Sequence, residues 1–116
     1  MKDRNKNLFL ADIKECCEKI ERYIEGVSEE NFRANEILQD ALVRNIEIIG
    51  EAAKNLSDET RRENAAVPWR DVMRMRDKIV HHYFRLNLEI IWQTATEDVP
   101  ALRLQINEII EKSGKE

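Results

Sequence analysis

Residues 37–56 read ILQDALVRNIEIIGEAAKNL, and the fold class follows from them. Leu38, Leu42, Ile46, Ile49, Ala53 and Leu56 recur at intervals of four, four, three, four and three. An α-helix turns once in about 3.6 residues, so these side chains form one stripe; a strand would need alternation. A second row, Ile37, Ala41, Arg44, Ile48 and Glu51, lies on the adjacent face and mixes apolar with charged groups. A helix over about residues 35–56 with two partly apolar faces is expected to sit centrally in a bundle. Arg44 and Glu51 on the second face fit a structural ion pair, two solvated groups, or a site.

The same pattern extends outward on both sides. Leu10, Ile13, Cys17, Ile20 and Ile24 step by three and four, which predicts a first helix over residues 3–25 ended by Gly26. Ser28 is a candidate cap for a short turn through Phe32, and Ser57 for a short helix to about Asn64. Pro68 suits the first turn of a further helix over residues 69–83, with Val72, Met75, Ile79 and Tyr83 in line. Asn87 is placed to cap a helix over residues 88–97. Asp98 and Pro100 then start or kink a last one through Leu102, Ile106, Ile109 and Ile110, with the final four residues frayed. The expectation is an all-α, up-and-down bundle of four to five helices.

Composition agrees. Residues 1–116 suit one domain, with 42% hydrophobic residues, 36% charged residues, three Gly and two Pro. There is no apolar run long enough for a membrane span, and the charged start is unlike a secretory signal, so a cytoplasmic location is expected. Cys16 and Cys17 are adjacent, an arrangement suited to buried, reduced thiols rather than to a disulfide or a zinc site. The net charge of −4 argues against a protein that coats nucleic acid by bulk attraction. Between residues 70 and 85, however, Arg70, Arg74, Arg76, Lys78 and Arg85 face only Asp71 and Asp77, a local balance of +3. A cationic segment on an acidic body suits a phosphate site or an acidic partner.

Motifs for phosphate loops, serine elbows and di-iron bundles are absent. Both histidines fall in Met75-Arg76-Asp77-Lys78-Ile79-Val80-His81-His82-Tyr83-Phe84. Carboxylate or thiolate ligands at useful spacing from them are missing, so neither a metal nor a cofactor is expected. Cleavage of RNA needs neither, because the 2′-hydroxyl is a built-in nucleophile. An imidazole titrating near 6.5 can move protons, and an arginine fork matches phosphate oxygens. On residue types alone, an Arg, a His and a Tyr at a helix end serve packing or solvation more often than catalysis. Positions 76 and 81 also lie about 140° apart on an ideal helix. They converge only if the helix ends or distorts between them, or if a dimer joins two such segments in one cleft.

The segment Arg76-Asp77-x-x-x-His81-x-Tyr83 resembles the R-x-x-x-x-H-x-Y signature of HepT toxins, a branch of the HEPN superfamily. Residues 40–53, Val67-Pro68-Trp69-Arg70, Tyr83-Phe84, Trp92 and Glu97-Asp98-Val99-Pro100 resemble further family blocks, so the likeness runs from about Leu8 to Ile110. It implies a HEPN helical bundle whose homodimer, or higher oligomer, forms a groove that cuts RNA, either tRNA or mRNA. It further implies that His81 transfers protons, that Arg76 contacts the phosphate and transition state, and that Asp77 orients or tunes its neighbours. Relatives are usually encoded beside a minimal nucleotidyltransferase antitoxin of the MntA type. That partner is understood to silence the toxin by adding AMP to the tyrosine, here Tyr83; the added anion would repel RNA. His82 stands where many relatives have a small residue, which leaves open whether His81 acts alone; Arg44 is a further auxiliary candidate. Two other readings stay in play. One is a non-catalytic module that binds a nucleotidyltransferase and nucleotide or RNA; the other is an oligomer-forming bundle whose basic helix pairs with an acidic partner.

Overall fold

A computed structural model describes residues 5–81 and 85–115. The chain folds as α1 (Lys6–Ile24), α2 (Glu29–Arg33), α3 (Glu36–Asn55), α4 (Asp58–Glu63), α5 (Trp69–Met73) and α6 (Met75–Ile79). There follow β1 (Val80–His81), β2 (Arg85–Leu86), α7 (Leu88–Gln93), a π-helical turn (Thr94–Asp98) and α8 (Val99–Lys115). The architecture is an all-α bundle with one minimal antiparallel ladder, Val80 opposite Leu86 and His81 opposite Arg85. No helix among the described residues is long and apolar enough to cross a membrane.

Local chemistry sets the helix starts. The side chains of Ser28, Asn35, Ser57 and Asn87 accept from the backbone N–H of Asn31, Leu38, Thr60 and Ile90 at 3.0–3.1 Å. Each satisfies a donor that the first helical turn leaves open. Gly26 follows α1 at φ 74°, a left-handed conformation that glycine adopts without steric cost. At the other end of α3, Arg61 Nη1 donates to the carbonyls of Ala53 (2.9 Å) and Leu56 (2.7 Å). A cation therefore closes the negative end of the central helix.

The core is the set of stripes meeting. Leu42, Ile46, Ile49, Ala53 and Leu56 of the α3 segment are buried, as are Leu10, Ile13, Cys17 and Ile20 of α1. α1 packs on both α3 and α8. Its late residue Glu21 pairs with Arg103 early in α8, while Asn7 shares a cleft with Gly114, so α1 and α8 run antiparallel. Burial pushes the Cys17 thiol up to about 12, which keeps it protonated and unreactive.

Three expectations are corrected. The helix predicted over residues 69–83 is two short helices that break at Arg74 and end at Ile79. The break lies where α5 meets α3. A Cβ on Gly50 would sit 3.4 Å from the Val72 carbonyl oxygen and 3.5 Å from that of Met73. Just past this contact, Asp77 N–H donates to the Arg74 carbonyl, three residues back, at 3.0 Å. The helix predicted over residues 88–97 becomes π-helical after Gln93 and runs on into α8. Val99 N–H reaches five residues back to the Thr94 carbonyl, and the widened turn directly precedes Pro100, which has no N–H to donate. Finally, α8 extends through Lys115, past the point where fraying was expected.

Candidate functional site

The described sequence candidates lie on α3, on α6, which packs against it, and on β1, which follows α6. Arg76 lies on α6 and Arg44 on α3, both exposed, and His81 enters through its backbone as the second residue of β1. His82 and Tyr83 lie outside the described residues. α6 stops at Ile79, and its carbonyl accepts from Asn87 N–H at 2.8 Å, closing the base of the ladder. Helical geometry therefore ends between positions 76 and 81. The separation of about 140° that a continuous helix would impose does not apply.

Arg76 has a partner that sequence reading missed. Its Nε donates to Glu47 Oε2 on α3 at 2.8 Å, with the side chains 49% and 41% exposed. The pair spans 29 positions of sequence, and nothing in the local pattern singles out Glu47. The available signal was Gly50, three residues further along α3, where the backbone of α5 comes close. With Nε committed, the two terminal nitrogens of Arg76 are oriented, and among the described residues no hydrogen bond or ion pair from them is formed.

Asp77 is exposed, and the carboxylate that holds Arg76 comes from α3 rather than from this neighbour. Lys78 faces Asp71 at 3.8 Å. Arg44 is three residues before Glu47, a spacing that places Cβ atoms about 5–6 Å apart on a helix. It therefore stands within one turn of the Arg76 anchor. Its charge is also felt by Cys16, whose thiol is raised mainly by burial. Among the described residues no ion pair joins Arg44 to Glu51, and both are exposed. No three described His, Cys, Asp or Glu residues are grouped as a metal site requires.

The arrangement offers a tethered guanidinium on a helix that ends two residues before a histidine. The sequence profile of the family described as Ribonuclease HepT-like matches residues 13–109. A protein of Caldanaerobacter subterraneus subsp. tengcongensis named "Putative RNase" is 42% identical over 104 residues, which span 90% of this chain and 93% of that one. A Thermococcus cleftensis protein named "Probable ribonuclease HepT" is 40% identical over 95 residues, 82% of this chain and 86% of that one. A Methanocaldococcus jannaschii protein named "Gamma-glutamylcyclotransferase and putative RNase" is 39% identical over 108 residues, 93% of this chain and 49% of that longer one. No solved structure matches the chain.

Proposed function

The chain belongs to the HepT-like ribonuclease family of the HEPN superfamily, and on that premise we propose that it is a metal-independent endoribonuclease toxin acting as a homodimer. The observation that carries this reading is the Arg76–Glu47 pair, which holds a half-exposed guanidinium five residues before His81. His81 accepts the proton of the RNA 2′-hydroxyl as that oxygen attacks phosphorus. The bond from phosphorus to the 5′-oxygen breaks, and the imidazolium returns the proton to the leaving oxygen. Products are a 2′,3′-cyclic phosphate and a 5′-hydroxyl. The terminal nitrogens of Arg76 neutralise the charge that builds on the non-bridging oxygens. Asp77 orients or tunes these two groups, and His82 and Arg44 are auxiliary candidates. Two protomers join so that both motif segments border one groove, and the substrate is tRNA or mRNA.

The proposal extends to control. A nucleotidyltransferase antitoxin of the MntA type transfers AMP from ATP to the Tyr83 hydroxyl with release of pyrophosphate, and the added phosphate repels RNA.

Purified protein incubated with tRNA should cut it equally well with and without a chelator. His81→Ala should abolish cutting and growth inhibition while leaving the thermal transition in place. A His81→Ala protein as active as the parent ends the assignment of His81. Intact-mass spectra after incubation with the antitoxin and ATP should show added AMP on the parent, and none on Tyr83→Phe. Equal labelling of both removes the role given to Tyr83.

A further inference from the structure

A second cationic position lies beside the ladder and takes no part in the proposed reaction. The Phe32 ring is fully buried and meets Trp92 at 5.1 Å between centroids, which holds α2 against α7. The next residue, Arg33, is thereby carried to the β2–α7 junction. There it lines one shallow cleft with Arg85, Leu86, Asn87, Leu88 and Glu89. Arg85 is the ladder partner of His81. One guanidinium thus leaves the fold from the position across the ladder from the proton-transfer residue, and a second stands in the same cleft.

The two arginines are differently engaged. Arg33 donates from Nε (3.2 Å) and Nη2 (3.1 Å) to Glu29 Oε2 in an exposed pair one helical turn apart. Such pairs hold weakly, and among the described residues Nη1 makes no hydrogen bond. Arg85 is exposed and makes no ion pair among the described residues. Glu89 is the one carboxylate in the cleft lining, and the half-buried Leu86 and Leu88 add apolar surface for a ribose or base.

We propose that this cleft binds the backbone phosphate of the nucleotide next to the scissile one, with Arg85 as the main contact and Arg33 as the second. RNA then runs from Arg76 across the ladder to α2. The identity of the ligand rests on the ribonuclease reading. These are binding residues: they hold the strand and do not touch the reacting atoms.

The test uses a fluorescent 2′-O-methyl RNA, which lacks the nucleophilic hydroxyl and so reports binding apart from cutting. Anisotropy is measured across a salt series for the parent, Arg85→Ala, Arg33→Ala and the exposed α4 control Arg62→Ala. Arg85→Ala should weaken binding about 3- to 10-fold and lower the salt slope by about 0.7, the loss of one single-strand phosphate contact. Arg33→Ala should act in the same direction and less strongly, and Arg62→Ala should match the parent. With cleavable RNA, Arg85→Ala should raise KM and leave kcat unchanged. Parental affinity and salt slope in Arg85→Ala overturn the proposal. A parent that binds the modified RNA, loses affinity through Arg85 and yet never cuts unmodified RNA overturns the ribonuclease reading alone. A parent that binds no RNA overturns both.

Discussion

Removing Glu47 separates the stability of the fold from the positioning of Arg76. The pair is short, at 2.8 Å, but both side chains are nearly half exposed. Exposed ion pairs contribute about 0.2–1 kcal/mol to stability, so Glu47→Ala should lower the melting temperature by only a few degrees. Catalysis should respond more strongly. A guanidinium released from its tether no longer presents its terminal nitrogens in one orientation, and a misplacement of about 1 Å can cost up to ~100-fold in rate. The expected fall in kcat is about 10- to 100-fold, equivalent to roughly 1.4–2.7 kcal/mol in the barrier. KM should not rise, because the substitution also removes a carboxylate that repels phosphate. Glu47→Gln can still accept from Arg76 Nε, so it should recover part of the rate. In single-turnover cleavage, adding Glu47→Ala to Arg76→Ala should cost nothing further, because the two residues act through one contact. The reasoning fails if Glu47→Ala cuts within twofold of the parent, or if the double variant loses the product of the two single effects.

Other consequences follow from the packing. Phe32→Ala empties a fully buried site against Trp92 and should lower stability by about 3–5 kcal/mol. A shift in the urea midpoint worth under 1 kcal/mol would show that α2 is not held by this ring. Arg61→Ala leaves the carbonyls of Ala53 and Leu56 without their cation, at a cost of about 1–2 kcal/mol in the same assay; no change would mean that water replaces the guanidinium freely. The native Cys17 thiol, raised by burial to about 12, should resist Ellman's reagent at pH 8 and react once the chain unfolds. Because its folded value lies above the ordinary 9.0, the unfolded state releases this proton first. Stability from the protonated thiol is therefore present below about pH 9 and is lost as pH rises towards about 12. The stability advantage of the parent over Cys17→Ala should shrink between pH 8 and pH 10.5, and parallel behaviour would contradict it.

The helix starts and the buried stripes were legible residue by residue, because both depend on near neighbours. Ser28, Ser57 and Asn87 cap what they were expected to cap. Of the stripe read from Leu38 onward, Leu42, Ile46, Ile49, Ala53 and Leu56 are buried and Leu38 at its start is half-buried. The resemblance to the HepT branch of the HEPN superfamily was equally a property of the chain as written, and the family match over residues 13–109 agrees with it.

Tertiary structure alone decided how that segment is held. Val72, Met75 and Ile79 are all buried, and their spacing is the same whether the helix is whole or broken at Arg74. Periodicity reports which side faces the core, and it cannot report a break that preserves the phase. The break lies at a contact with Gly50, and the partner of Arg76 lies 29 positions away. The ladder that opposes His81 with Arg85 likewise exists only as paired backbone. Helix caps and apolar stripes are interactions within a few residues, whereas these contacts join separate elements and take shape only when α3 and α6 pack.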